Sequence, residues 1–185
     1  MKNPFIIGEK VYLRALERSD GPLFVQWLNH PEIQQTTIHY RPLNLQDEDD
    51  FVDRMRASAN DVGLVIVARD TDMPVGVTAL HQIDWRNRYA SFGITIGESA
   101  NWGKGYGAEA TRLMVQHAFA TLNLNRVWLY VLEYNERGIR CYERLGFKKE
   151  GLLRQEHYRN GRYWDTWMMA ILREEWDCQR QMVAK

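Results

Sequence analysis

The most informative segment of the chain reads Trp102-Gly103-Lys104-Gly105-Tyr106-Gly107-Ala108-Glu109-Ala110. It follows a strand pattern and opens an amphipathic helix pattern. Glycines permit positive φ and let a ligand approach the backbone closely. Successive N–H groups at the start of a helix favour binding of an anion, and a pyrophosphate is the anion that best fits such a loop. A tight strand-to-helix turn would also explain the glycines, so the interpretation requires a second motif.

That second motif follows the helix and reads Tyr134-Asn135-Glu136-Arg137-Gly138-Ile139-Arg140-Cys141-Tyr142-Glu143-Arg144-Leu145-Gly146-Phe147. Together the two segments resemble the GNAT acetyltransferases. The first resembles that family's pyrophosphate motif, Gln/Arg-x-x-Gly-x-Gly/Ala, and the second resembles its Asn…Tyr-x-x-x-Gly-Phe motif. The resemblance runs from about Val11 to Trp176. It is closest to the branch that holds the ribosomal-protein N-terminal alanine acetyltransferases and the spermidine acetyltransferases.

The resemblance implies the GNAT fold, which is mixed α/β with a mostly antiparallel central sheet flanked by helices. The sheet is expected to splay between its fourth and fifth main strands. The implied reaction moves an acetyl group from acetyl-CoA to a primary amine by direct attack in a ternary complex. The implied cosubstrate is therefore acetyl-CoA.

The same resemblance implies a set of cofactor-binding residues. Ile94, Thr95 and Ile96 are expected to pair with the pantetheine arm through their backbones, and Asn135 is expected beside that arm. The pyrophosphate loop comprises Trp102, Gly103, Lys104, Gly105, Tyr106, Gly107 and Ala108. Trp102 stands where Gln or Arg usually begins the motif. Members of this branch carry an aromatic residue there, and we expect the backbone amides to do most of the binding.

Tyr142 matches the general acid of the family, which would protonate the departing CoA thiolate. A tyrosine three residues from both Ile139 and Leu145 on a helix would, without other information, more often be a core residue than a catalytic one. The surrounding motif reverses that expectation. A backbone N–H of strand 92–96 is expected to stabilise the oxyanion of the tetrahedral intermediate.

The general base stays open. Many relatives carry a glutamate at the position of Ser91, and others carry one at the position of Tyr130. In this chain neither position is acidic. A water chain would serve equally well as the base. The remaining side-chain candidates are Glu98, Glu156, His157 and Asp165.

Two other function classes compete with an enzyme that acetylates an amine. A non-catalytic acyl-CoA-binding or regulatory module with the same fold would lack a general base. A nucleotide-binding P-loop protein is disfavoured because the glycine loop lacks the Gly-Lys-Ser/Thr ending that holds Mg²⁺. The acceptor amine is also open: a peptide N-terminus, a polyamine, an amino sugar and an amino-acid amine all fit.

The acidic run Asp47-Glu48-Asp49-Asp50 has two interpretations. It could attract a cationic amine, or its carboxylates could simply favour the start of a helix. The second interpretation is the simpler one, because runs of charge usually lie on a solvated face.

Apolar periodicity and turn residues predict the order strand, two helices, three strands, helix, strand, helix and hairpin. The predicted helices begin near Gly21, with Asp20 as cap, near Gln46 and near Ala108, and a short one lies between Asn135 and Leu145. Apolar residues on both faces of strand 126–132 predict that it is covered on both sides. The predicted strands span 11–15, 64–68, 75–82, 89–96 and 126–132, with a hairpin turning at Asn160-Gly161.

Composition predicts one domain over residues 1–185. The 24 basic and 24 acidic side chains cancel, so no global field would attract nucleic acid. No apolar run is long enough to span a membrane. Two cysteines cannot form a disulfide framework, which favours a reducing cytoplasm. The histidines show no metal-ligand spacing, so we predict no metal. The oligomeric state stays open, although a homodimer is common among relatives.

Overall fold

The chain forms eight strands and six α-helices within residues 1–183, the part whose secondary structure is described by the structure, a computed structural model. Side chains are described as far as residue 179. The strands are β1 Ile6–Ile7, β2 Val11–Ala15, β3 Val62–Ala68, β4 Pro74–Asp84, β5 Tyr89–Ile96, β6 Arg126–Leu132, β7 Lys148–Arg159 and β8 Arg162–Leu172. The helices are α1 Gly21–Leu28, α2 Pro31–Gln34, α3 Leu45–Ala57, α4 Tyr106–Ala120, α5 Glu136–Arg144 and α6 Arg173–Val183.

The backbone divides into two compact units. The first comprises Met1–His81 and Gly93–Met114, and the second comprises Gln82–Phe92 and the chain from Val115 onward. Strands β4 and β5 and helix α4 contribute residues to both units. The single domain expected from the composition stays a prediction.

In the first unit the strands lie in the order β1-β2-β3-β4, with the end of β5 next to β4. Strands β1, β2, β3 and β4 pair in antiparallel fashion, with Val11 opposite Ala68 and Val65 opposite Val77. Strand β3 is a nearly continuous apolar run whose side chains are buried from Leu64 onward. The core beneath it consists of Tyr12, Phe24, Trp27, Val65 and Val67.

In the second unit the start of β5 is followed by β6, β8 and β7. The β5–β6 ladder is parallel and joins Tyr89–Ser91 to Arg126–Trp128, and both strands continue past it, to Ile96 and Leu132. The other ladders, β6–β8 and β7–β8, are antiparallel. The predicted mixed α/β fold with a mostly antiparallel sheet is therefore confirmed.

The hairpin turn was predicted correctly. Asn160 and Gly161 both have positive φ, 52° and 81°, as a type I′ turn requires. They join β7 to β8, whose pairing ends with Arg159 opposite Arg162.

The predicted burial of both faces of β6 is wrong at one position. Val127, Leu129 and Val131 are buried, but Tyr130 on the opposite face is 51% exposed. Its ring meets that of Trp128 edge-on, with centroids 5.0 Å apart. An aromatic ring with a polar tip tolerates this half-exposed position. The apolar alternation therefore predicted more burial of this face of β6 than the structure has.

Several element boundaries also differ from the sequence prediction. Helix α4 begins two residues before Ala108 and ends at Ala120, beyond which Asn123 turns the chain with φ 57°. Asp20 precedes α1 without capping it, because its carboxylate bonds the Arg14 guanidinium and the Glu17 N–H. The elements that the patterns missed are β1, α2 and α6, of which β1 and α2 are too short to show a periodicity.

Helix α3 carries a buried acid that should make stability depend on pH. Burial, and then the neighbouring Asp47 charge, raise the pKa of Glu48 from 4.5 to about 7. Between these two values the folded chain holds a proton that the unfolded chain has released, so stability falls as pH rises from 4.5 to 7.

We expect Glu48→Gln to flatten this dependence and to stabilise the protein at pH 8 by up to about 3 kcal/mol. Denaturant unfolding at pH 5 and pH 8 would measure the change. Glu32→Gln, at an exposed position of α2, is the matched control and should behave as wild type at both pH values. An equal gain in stability at both pH values for Glu48→Gln would contradict the assignment.

Candidate active site

The glycine loop presents a run of backbone donors. Gly103 and Gly105 have positive φ, 78° and 91°, and α4 begins directly after Gly105. The Gly105 carbonyl accepts the first helical hydrogen bond, from the Glu109 N–H at 3.0 Å. Among the described residues, the N–H groups of residues 103–108 have no hydrogen-bond acceptor. Six successive donors at the start of a 15-residue helix can bind an anion.

The side chain of Tyr106 fixes the start of α4 and lies inside the fold. It is 7% exposed, and its hydroxyl donates to the Asp70 carboxylate at 3.2 Å. Burial, and then the hydrogen bond that the hydroxyl donates to Asp70, raise the pKa of this phenol. Of the predicted cofactor-binding groups of Tyr106, the structure therefore leaves only the backbone N–H available.

Trp102 joins the loop to the end of β5. Its indole Nε1 donates to the Ile96 carbonyl at 3.3 Å. A Cβ on Gly107 would lie 3.5 Å from Ile96 Cγ1, which is ordinary contact, and Gly107 does not have a positive φ. The Ile94–Ile96 segment is partly buried. Of the predicted strand residues, Ile96 thus lies against the loop, although one lone pair of its carbonyl is already used.

The Glu109 carboxylate is the feature of this site that sequence reasoning missed. Its two oxygens accept hydrogen bonds from three consecutive backbone N–H groups, those of Glu9 at 2.7 Å, Lys10 at 2.7 Å and Val11 at 2.9 Å. The Lys10 ammonium in turn donates to the Lys104 carbonyl at 3.1 Å. The only local signal was an acid in the first turn of a helix, which the helix dipole explains on its own.

In the second unit Tyr142 is held by aromatic packing. Its ring meets Phe92 edge-on, with centroids 6.5 Å apart, and Phe147 at 5.7 Å. Within the described part of the chain its hydroxyl makes no hydrogen bond. Burial raises the pKa of the Tyr142 phenol well above its ordinary value, so the proton is retained at neutral pH. The hydroxyl is therefore protonated and available to a ligand.

Asn135 caps α5, as predicted. Its Oδ1 accepts from the Gly138 N–H at 3.0 Å, and a Cβ on Gly138 would lie 2.8 Å from Asn135 Nδ2. The amide oxygen is therefore committed to the cap. The Nδ2 group makes no hydrogen bond with a described residue and can still donate to a ligand.

The four candidate bases differ in what already binds them. The Asp165 carboxylate accepts from the Gln155 N–H at 2.8 Å and supports the irregular part of the β7–β8 ladder. Glu98 and Glu156 are exposed. His157 Nε2 is buried and has no hydrogen-bond partner among the described residues. Burial, and then the Arg159 charge, lower the pKa of His157, so its ring is neutral at pH 7 and can accept a proton.

The acidic run at α3 is used by its own helix. Asn44 and Asp47 form a capping box, Asp50 accepts from the Gln46 side chain at 2.7 Å, and Glu48 is buried. These contacts favour the simpler of the two interpretations. Among the described residues, no three His, Cys, Asp or Glu side chains are grouped so as to hold a metal ion.

Comparison with known proteins bears directly on this geometry. Residues 10–148, which contain both the glycine loop and Tyr142, match the family described as the acetyltransferase (GNAT) domain. The chain belongs to the GNAT acetyltransferases. The family resemblance inferred from the two motifs is thereby confirmed, and so is the use of acetyl-CoA as cosubstrate.

Three relatives of this GNAT enzyme illustrate the similarity. The spermidine N(1)-acetyltransferase of Escherichia coli is 35% identical over 169 residues, which are 91% of this chain and 89% of that protein. YdaF of Bacillus subtilis, provisionally named a ribosomal N-acetyltransferase, is 35% identical over 105 residues, 57% of each chain. The crystal structure of a Vibrio cholerae spermidine N-acetyltransferase with CoA and spermine matches with a TM-score of 0.85, at 26% identity, over 91% of this chain and 99% of that one.

The GNAT domain and these relatives show that the chain is an acyltransferase that transfers an acetyl group to an amine. A non-catalytic module with the same fold therefore loses its support. In the described part of the chain no helix is both long and apolar enough to cross a membrane.

Two glycines of this GNAT enzyme form a matched pair for testing the loop. Gly103 and Gly161 have nearly equal φ, 78° and 81°, and a Cβ on either would meet nothing within 4 Å. Changing either glycine to alanine should therefore cost a similar 1–2 kcal/mol or so of stability, because both positions are left-handed.

Only Gly103→Ala should weaken CoA binding, by at least about tenfold, because its methyl group would keep the pyrophosphate away from the loop backbone. Calorimetric titration with CoA and a melting curve on both variants would measure the two effects. Equal CoA affinity in the two variants would remove the loop from the cofactor site.

Proposed function

We propose that this GNAT enzyme acetylates a primary amine of a polyamine, such as spermidine or spermine, with acetyl-CoA as donor. The six free N–H groups of residues 103–108 support the donor half of the proposal, since they can bind the pyrophosphate. The acceptor half rests on the spermidine acetyltransferases, which match the chain over 91% of its length. Polyamine acetylation is therefore the most specific reaction that the chain and its relatives support together.

In the proposed reaction the free amine attacks the thioester carbonyl. A C–N bond forms, the C–S bond breaks, and the amine proton passes to a base. Residues Ile94–Ile96 would hold the pantetheine arm, and a backbone N–H of strand 92–96 would stabilise the oxyanion. Tyr142 would give its proton to the departing thiolate, which requires its hydroxyl to reach the sulfur of bound acetyl-CoA.

The high pKa of Tyr142 suits this role in one respect and limits it in another. It keeps the proton on the phenol at neutral pH, so the acid is present in every molecule. A thiolate formed in the same apolar surroundings would also have a raised pKa, because burial disfavours its charge. The transfer between the two groups therefore need not be as unfavourable as their values in water suggest.

His157 is the candidate base that we carry forward, with a water chain as the alternative. It lies opposite Trp164 in the β7–β8 ladder, and the Trp164 ring contacts that of Tyr134 at 4.7 Å. Tyr134 directly precedes Asn135 in the chain. The ring contact of its ladder partner with Tyr134, next to the second family motif, supports the choice of His157.

A peptide N-terminus is the second candidate acceptor, supported by the similarity to YdaF. The homodimer, the cytoplasmic location and the absence of nucleic-acid binding stay predictions.

A comparison of acceptors tests the proposed function. With acetyl-CoA as donor, thiol release should be fast with spermidine and spermine and slow with peptides beginning with alanine or serine. An amino sugar and a free amino acid serve as further acceptors. Preference for a peptide would overturn the polyamine assignment and leave acetyl transfer intact, and no thiol release with any amine would overturn both.

Tyr142→Phe tests the acid. The ring contacts with Phe92 and Phe147 remain, and we expect turnover to fall by roughly 10²–10⁴-fold with little change in acetyl-CoA affinity. Steady-state kinetics with the best amine, together with a melting curve, would measure this. Tyr89→Phe, which removes a hydroxyl from another partly buried tyrosine of the same unit, at the start of β5, is the matched control and should keep its turnover. Wild-type turnover in Tyr142→Phe would exclude the phenol as the acid.

A further inference from the structure

We propose that Lys10, which lies outside both family motifs, is a further cofactor-binding residue whose ammonium binds the pyrophosphate of acetyl-CoA. This inference rests on the proposed pyrophosphate site at residues 103–108. The Lys10 Nζ donates to the carbonyl of Lys104, in the middle of that loop, at 3.1 Å. It would lie only 3.0 Å from a Cβ placed on Gly105. A positive charge therefore lies directly against the backbone of the loop.

The backbone of Lys10 is fixed on both sides. Its N–H donates to the Glu109 carboxylate at 2.7 Å, and its carbonyl accepts from the Arg69 N–H at 2.9 Å. The N–H groups of Glu9 and Val11 bind the same carboxylate. Because the main chain is held in place, binding a ligand would immobilise only the outer part of the lysine side chain.

The charge of Lys10 is not used elsewhere. Its side chain forms no ion pair with any carboxylate in the described part of the chain. The nearby Glu109 carboxylate is engaged by three N–H groups, and Arg112 approaches it at 3.8 Å. The ammonium can therefore turn from the neutral Lys104 carbonyl to a phosphate oxygen, which is the stronger acceptor.

Lys104 is the more obvious basic residue, since it stands inside the loop, but its ammonium is placed differently. It donates to Asn101 Oδ1 at 3.0 Å and lies 6.0 Å from the centre of the Tyr106 ring. The ammonium that contacts the loop backbone belongs to Lys10. The glycine at position 105 serves this arrangement twice, since it permits positive φ and leaves room for Nζ.

The alternative is a purely structural role, in which Lys10 only fastens the loop through the Lys104 carbonyl. The two roles differ in their response to salt. A charge that acts on the pyrophosphate is screened by ions, whereas a loop fastened by a hydrogen bond to a carbonyl is affected much less.

The experiment measures Kd by calorimetry for CoA and for dephospho-CoA, which keeps the pyrophosphate and lacks the 3′-phosphate. Lys10→Met should weaken binding of both ligands by about tenfold, the value expected for one charge-assisted hydrogen bond. It should also flatten the dependence of Kd on salt. Lys10→Arg should recover most of the affinity, and Lys2→Met, at an exposed lysine of the same unit, should match wild type.

Each contrary result overturns a definite statement. Wild-type affinity in a folded Lys10→Met variant would exclude Lys10 from the site. A loss that is the same at low and high salt would assign it the structural role, and a loss seen with CoA but not with dephospho-CoA would assign it to the 3′-phosphate. If the wild-type protein binds neither ligand, the pyrophosphate site itself fails, and the inference fails with it.

Discussion

The carboxylate of Glu109 is the constraint on which the cofactor loop depends. It projects from the first turn of α4 and binds three consecutive backbone N–H groups, two in the turn between β1 and β2 and one at the start of β2. Its side chain is 10% exposed, and its negative charge strengthens these hydrogen bonds. These hydrogen bonds join segments about a hundred residues apart in sequence. They fix the start of α4 relative to the start of β2.

Once α4 is fixed at its start, the loop before it has little freedom. The Tyr106 hydroxyl binds Asp70 on one side, and the Trp102 indole binds the Ile96 carbonyl on the other. The two left-handed glycines then turn the intervening N–H groups away from every acceptor that the described chain offers. The donors are thus organised before any ligand arrives, which reduces the entropy that binding must overcome. In the second unit, aromatic packing around Tyr142 plays the corresponding part by holding a hydroxyl that none of the described residues binds.

Much of this could be predicted from sequence because the deciding signals are local. Asn160-Gly161 specifies its turn within two residues, Asn135 caps the helix that follows it, and the glycine loop lies between two strongly patterned elements. Tyr142 required the family motif, because its spacing between apolar residues indicates only a core position.

The signals that failed are the ones that depend on distant partners. Lys10 and Glu109 meet only after folding, and neither the short strand β1 nor the turn that follows it shows a periodicity. Asp20 has the residue type of a cap, but the Arg14 guanidinium competes for its carboxylate. Tyr130 belongs to an apolar pattern and is nevertheless half exposed, because alternation cannot show how far the elements packed on a sheet cover its face.

The contact between Glu109 and the β1–β2 turn also determines which sequences this fold can accept. The carboxylate binds main-chain N–H groups, so the identities of the side chains at 9 and 11 hardly matter to it. Proline at 9, 10 or 11 is a different case, because it has no N–H to donate. Gly8 is equally restricted, since a Cβ there would lie 2.8 Å from the Glu109 carboxyl group. The hydrogen bonds to Glu109 therefore constrain the backbone chemistry of residues 8–11 and leave no side-chain signature of their own in the sequence.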